Sequence, residues 1–68
     1  MIVTINGQAR ELDPSATIAS VVELLGAPLG GRGVAVALDG EVVARGRWPD
    51  TALAEGARVE VVSAIQGG

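Results

Sequence analysis

Sixty-eight residues bound one small domain, and a chain of this size buries only about 60% of its unfolded surface. The absence of Cys and His excludes a disulfide framework, a zinc finger and a thiolate nucleophile; without Lys or Tyr there is no Schiff base, no lysine or histidine general base and no tyrosine acid. Five Arg against eight Asp plus Glu give −3, which leaves no electrostatic footprint for nucleic acid, and a single Trp offers no platform for stacked bases.

An enzyme acting alone is therefore not expected, since only carboxylates, Arg, Ser and Thr remain to do chemistry. The longest unbroken apolar run is Val34-Ala35-Val36-Ala37-Leu38, far short of a membrane span. No basic segment followed by an apolar stretch opens the sequence, so a cytoplasmic location is the default expectation. No metal ligand set is present, and no cofactor is expected on the chain itself.

Strand signals begin at once. Ile2-Val3-Thr4-Ile5 is β-branched throughout, and Asn6-Gly7 follows as a hairpin signal, because a type I′ turn needs positive φ at both central positions. Gln8 to Leu12 is the expected return strand, with Val3 and Ile5 sharing the core face. Asp13-Pro14 breaks it. Thr17 is placed to cap a short helix whose apolar positions, Ile18, Val21, Val22 and Leu25, fall on one face. Gly26 and Pro28 stop that helix. At about eight residues it cannot stand alone and must lie on a sheet.

Gly30-Gly31-Arg32-Gly33 reads as a loop. No Gly-Lys-Ser/Thr follows it and a strand comes next, so a phosphate-binding loop is not expected. Val34, Val36 and Leu38 alternate on the core face of a strand, Asp39-Gly40 repeats the hairpin turn, and Glu41 to Ala44 returns. Arg45 to Asp50 is read as an irregular link, and Leu53 as a plug at one end of the core. The last strand is expected over Arg58–Ile65, with Val59 and Val61 toward the helix and Val62 and Ala64 on the other face. The elements imply an α+β domain: one sheet with a helix packed across one face.

The chemistry points to the end of the chain. From the glycine content alone, a Gly-Gly ending is expected about once in fifty chains. The plain interpretation is a frayed end. The sharper one is that Gly67 and Gly68 expose an α-carboxylate on a stalk without side chains. Three residues past a strand reach about 10 Å, enough to enter a partner's narrow channel. There ATP would activate the carboxylate as an acyl-adenylate.

These residues together resemble the ThiS sulfur carriers, small ubiquitin-like β-grasp domains. The resemblance runs through Ile2-Val3-Thr4-Ile5-Asn6-Gly7, Thr17-Ile18 leading to Leu24-Leu25, and Ala35-Val36-Ala37-Leu38-Asp39-Gly40-Glu41-Val42-Val43. It continues through Arg45 with Trp48, Thr51-x-Leu53-x-x-Gly56 and Ala64-Ile65-Gln66-Gly67-Gly68, and so covers essentially the whole chain. The resemblance implies a β-grasp domain over residues 1–65 with a tail at 66–68. It also implies that an E1-like enzyme (ThiF) adenylates Gly68 with ATP and that a sulfur-transfer enzyme route yields a thiocarboxylate. Thiazole synthase (ThiG) would then take the sulfur for the thiazole of thiamine. Gly67 would supply the slender approach, with Gln66 in the tail. Apart from the resemblance, alternation leaves Val62 and Ala64 on a face without a helix to cover them, and these exposed apolar residues are the expected docking face. The family commonly carries Asp where this chain has Ala57, a difference expected to bear on the turn. Arg45 and Trp48 are given packing and surface roles and no chemistry. The open alternatives are a sulfur carrier for molybdopterin, cysteine or tRNA thiolation, a ubiquitin-like modifier, and a docking module with an incidental Gly-Gly.

Overall fold

The computed structural model describes residues 1–26 and 33–63. Both hairpins form at the dipeptides that signal them. Asn6 and Gly7 take φ of 50° and 83°, and Asp39 and Gly40 take 49° and 89°, the left-handed pairs that a type I′ turn requires. The first turn joins β1 (Ile2–Ile5) to β2 (Gln8–Glu11), and the second joins β3 (Val34–Leu38) to β4 (Glu41–Val43). β5 (Arg58–Ser63) runs between the two hairpins, parallel to β1 and antiparallel to β3. Among the described residues this makes one mixed sheet of order β2-β1-β5-β3-β4.

Helix α1 (Ile18–Leu24) starts where its cap signal stands. Thr17 is extended, its side chain accepts from the Ser20 amide at 3.3 Å, and the Ser20 hydroxyl accepts from the Thr17 amide at 3.0 Å. This reciprocal pair is a capping box with Ser in the place more often held by Glu. Gly26, at φ 70°, ends the helix. Ile18, Val21 and Val22 are buried against Val3 and Ile5 of β1, Val36 of β3 and Val59 of β5. One helix thus covers one face of the sheet, the β-grasp arrangement. Leu53 closes the end of this core at 6% exposure. Its segment is stapled to the helix start, with the Ile18 amide donating to the Thr51 carbonyl and the Leu53 amide to that of Ala16.

The structure corrects the reading of Arg45–Asp50. This stretch is a 3₁₀ helix rather than an irregular link. Pro49 fixes a helical φ, and Trp48 anchors the turn from inside, buried to 5% with its indole Nε1 donating to the Val43 carbonyl at 2.8 Å. The Thr51 hydroxyl also donates to the Arg47 carbonyl. Two strand ends move by one residue. β4 stops at Val43 because Ala44 becomes the cap of the 3₁₀ helix, and β2 stops at Glu11, although the Leu12 amide still donates to the Met1 carbonyl. β5 is described as far as Ser63; the Gly-rich loop, apart from Gly33, lies outside the described residues.

Candidate functional site

The candidate site is built on β5, the strand that leads to Gly68. Its Arg-Val-Glu-Val-Val-Ser sequence alternates, and the two faces have different fates. Val59 is 1% exposed beneath the helix, and Val61 packs partly buried on the same side. Val62 faces the other way and is 61% exposed. The expected split of Val59 and Val61 from Val62 is therefore observed. Ala64, Gln66, Gly67 and Gly68 lie outside the described residues.

The register places Ala35 directly opposite Val62, Ala37 opposite Glu60, and Val42 opposite Ala37. Residues directly opposite share a face, so these side chains line the side of the sheet away from α1. Val42 is 80% exposed there. An open groove of ≈ 460 Å³ lies on this face, lined by Ala35, Ala37, Val42, Val62, Arg58 and Glu60 among others. Apolar side chains on β3, β4 and the end of β5, with charges of both signs toward the start of β5, make a surface suited to protein contact. Among the described residues no group of three or more carboxylates is placed to hold a metal.

β5 is held from both sides by the turn residues. The Asp39 amide donates to the Arg58 carbonyl at 2.8 Å, and the Arg58 amide donates back to Asp39 Oδ1 at 3.0 Å. On the other side, the Asn6 amide donates to the Val59 carbonyl at 2.9 Å. The Asn6 side chain then reaches Val61: its Oδ1 accepts from the Val61 amide at 2.8 Å, and its Nδ2 donates to the Val61 carbonyl at 3.3 Å. The sequence identifies Asn6 and Asp39 as turn formers through their Gly neighbours. Their side-chain service to β5 carries no local signal, because Val61 stands 55 positions from Asn6. Ala35 and Val42 are readable in the sequence only as strand residues; the register sets Ala35 opposite Val62 and Val42 on the same face of the sheet, across β3.

Three further positions take structural parts. Trp48 is a core residue, and Arg45 is exposed. Ala57 is 6% exposed, and its carbonyl accepts from the Thr4 amide at 2.9 Å. An Asp side chain there would bring a carboxylate to the edge of this core, so Ala suits the packing present.

The ThiS family model matches residues 3–68. The crystal structure of a thiamine biosynthesis protein (ThiS) from Geobacter metallireducens is similar to this chain with a TM-score of 0.79 at 28% identity, covering 100% of both chains. An NMR solution structure of a thiamine biosynthesis protein from the same organism gives a TM-score of 0.81 at 28% identity, covering 100% of this chain and 88% of the other. No curated protein matches the sequence.

Proposed function

The chain belongs to the ThiS family, the sulfur carriers of thiamine biosynthesis, and we propose that it carries sulfur on the carboxyl carbon of Gly68. The observation that supports this most is the family match running unbroken to residue 68, on a fold whose central strand leads toward that glycine.

In this reading residues 1–65 are the folded body and 66–68 the reactive tail. An oxygen of the Gly68 carboxylate attacks the α-phosphorus of ATP on an E1-like adenylating partner (ThiF), and pyrophosphate leaves. A hydrosulfide ion, released by a sulfur-transfer enzyme, next attacks the acyl carbon. The carbon–oxygen bond to AMP breaks, AMP departs, and sulfur stays on the chain. Thiazole synthase (ThiG) is the acceptor. The chain binds no cofactor of its own; ATP is the partner's substrate. All catalysis belongs to the partners, consistent with a sequence that has no Cys, His or Lys. The absence of Lys also removes any internal ε-amine from the reach of the activated carbonyl.

Val62, with Ala64 two positions on, supplies the docking contact that brings the tail to the partner's ATP. Gln66 and Gly67 pass through the channel. Among the described residues no helix is long and apolar enough to cross a membrane. The reading places the protein in the cytoplasm, where ATP is available.

Intact mass spectrometry of the protein isolated from its host tests the proposal. A population in which one oxygen is replaced by sulfur, localised to Gly68 by fragmentation, is the expected result. Conjugates of higher mass would instead identify a protein modifier, and an unmodified chain in cells making thiamine would overturn the carrier reading.

A further inference from the structure

β1 ends at Ile5, but β5 continues to Ser63. The last backbone pairs between them are Thr4 with Arg58 and Ile5 with Val59. In an extended strand the amide and carbonyl of one residue point to the same side, and those of its neighbour to the other. Val61 therefore turns both groups toward the place where β1 has already stopped. The Asn6 side chain fills that place. Its amide reproduces the donor and acceptor of a strand residue, with bonds of 2.8 and 3.3 Å to the two backbone groups of Val61. The turn geometry fits this: at φ 50° the chain turns away after the Asn6 amide has bonded the Val59 carbonyl, and the Asn6 side chain reaches onward along β5 to Val61.

On the opposite side β3 follows β5 as far as the Val34–Ser63 pair. Asn6 thus carries the hold on the β1 side of β5 from Val59 on to Val61. The five residues after Ser63 extend to at most about 17 Å, so the direction of the strand end governs where Gly68 can reach. A strand end without these two bonds would sample more exit directions, and that freedom would have to be lost at the reaction centre.

We propose that Asn6 is a positioning residue for sulfur loading: by clasping Val61 it fixes the direction in which the reactive tail leaves the domain. The inference rests on the carrier reading above. Asn6→Gly is the informative variant, because Gly-Gly retains the type I′ turn while both bonds to Val61 disappear. Thr17→Ala is the control; it weakens the fold by loss of a helix cap without touching β5.

The measurements are ATP–pyrophosphate exchange with the adenylating enzyme at varied carrier concentration, and amide hydrogen exchange at Val61. In Asn6→Gly the Val61 amide should exchange about tenfold faster, as expected for one lost hydrogen bond. The kcat should fall by about tenfold with KM unchanged, since misplacement at the reacting atoms acts on the chemical step. Asn6→Asp, which retains the acceptor for the Val61 amide, should recover part of the kcat. Thr17→Ala should keep its full kcat. An Asn6→Gly protein with fast Val61 exchange and undiminished kcat would overturn the inference while leaving the carrier reading intact. An equal loss of kcat in Thr17→Ala would reduce Asn6 to a stabilising role and also overturn it. If the unaltered protein supports no exchange at all, both readings fall.

Discussion

Asp13 accepts two hydrogen bonds from Ser15, one from the hydroxyl at 2.7 Å and one from the amide at 2.9 Å. The hydroxyl bond, then the amide bond, holds the Asp13 carboxyl below its ordinary 3.8. The folded state therefore favours the carboxylate. Its contribution to stability is complete above the unfolded value and is lost as pH falls through the lower, folded one. Ser15→Ala removes the larger cause, so the Asp13 midpoint should rise toward 3.8, as read from the carboxyl carbon in an NMR pH titration. A midpoint that does not move would contradict this account. The same short-range logic made Asp13-Pro14, Asn6-Gly7 and Asp39-Gly40 legible as breaks and turns, because each conformation is set by adjacent residues. What stayed hidden was every second use of those side chains. Asn6 to Val61 and Asp39 to Arg58 are contacts across 55 and 19 positions, and no dipeptide encodes them.

Among the elements, α1 was readable almost to the residue, since its cap, its apolar spacing and its terminating glycine are all local. The 3₁₀ helix was not. Its cause is the burial of Trp48 in the core with its indole held by the Val43 carbonyl, a tertiary effect on a stretch whose two Arg, Gly and Pro suggest only a loop. Trp48→Phe should keep most of the ring's packing but lose the indole hydrogen bond to the Val43 carbonyl, at a cost of about 0.5–1.5 kcal/mol. Urea unfolding followed by circular dichroism measures it, and a loss below the error of the method would show the hydrogen bond to be dispensable. β5 offers the complementary case of an element with one committed and one open face. Val62→Asp should change stability by no more than about 0.5 kcal/mol, because the position is exposed. It should nevertheless weaken binding to the adenylating partner in a calorimetric titration. Unchanged affinity would remove this face from recognition and leave the tail to act alone.

At the scale of the whole molecule, the body and the proposed sulfur-bearing end answer to different constraints. Among the described residues the core draws on α1, the 3₁₀ helix and the inner face of the sheet, and the body is closed by these elements. Gly67→Val should therefore leave the thermal midpoint unchanged while sulfur loading stops, since a β-branched residue widens the stalk and restricts its backbone. Differential scanning calorimetry beside a loading assay decides; full loading of the variant would sink the narrow-channel picture. One sheet with one helix could be anticipated from element order, whereas the seat of β5 between β1 and β3 could not. Periodicity shows which face of a strand is buried but not which strand lies beside it. The resemblance to a β-grasp family supplied the fold that the residues alone left unspecified.

The parallel pairing of β1 with β5 has a mechanical consequence. Gly56 to Ile2, Thr4 to Ala57, Asn6 to Val59 and Val61 to the Asn6 side chain form successive rungs across this one seam. Tension applied between the start of β1 and the end of β5 runs along the seam, perpendicular to the rungs, so they share the load and must yield together. In a hairpin pulled open at its free ends the rungs would instead break one at a time. A partner that grips and tugs the tail, or a motor that tries to thread it, meets the strongest axis of a small domain. Single-molecule stretching between these two points should require a higher rupture force than stretching between the ends of β3 and β4, and equal forces would refute the assignment of the seam as the load-bearing element.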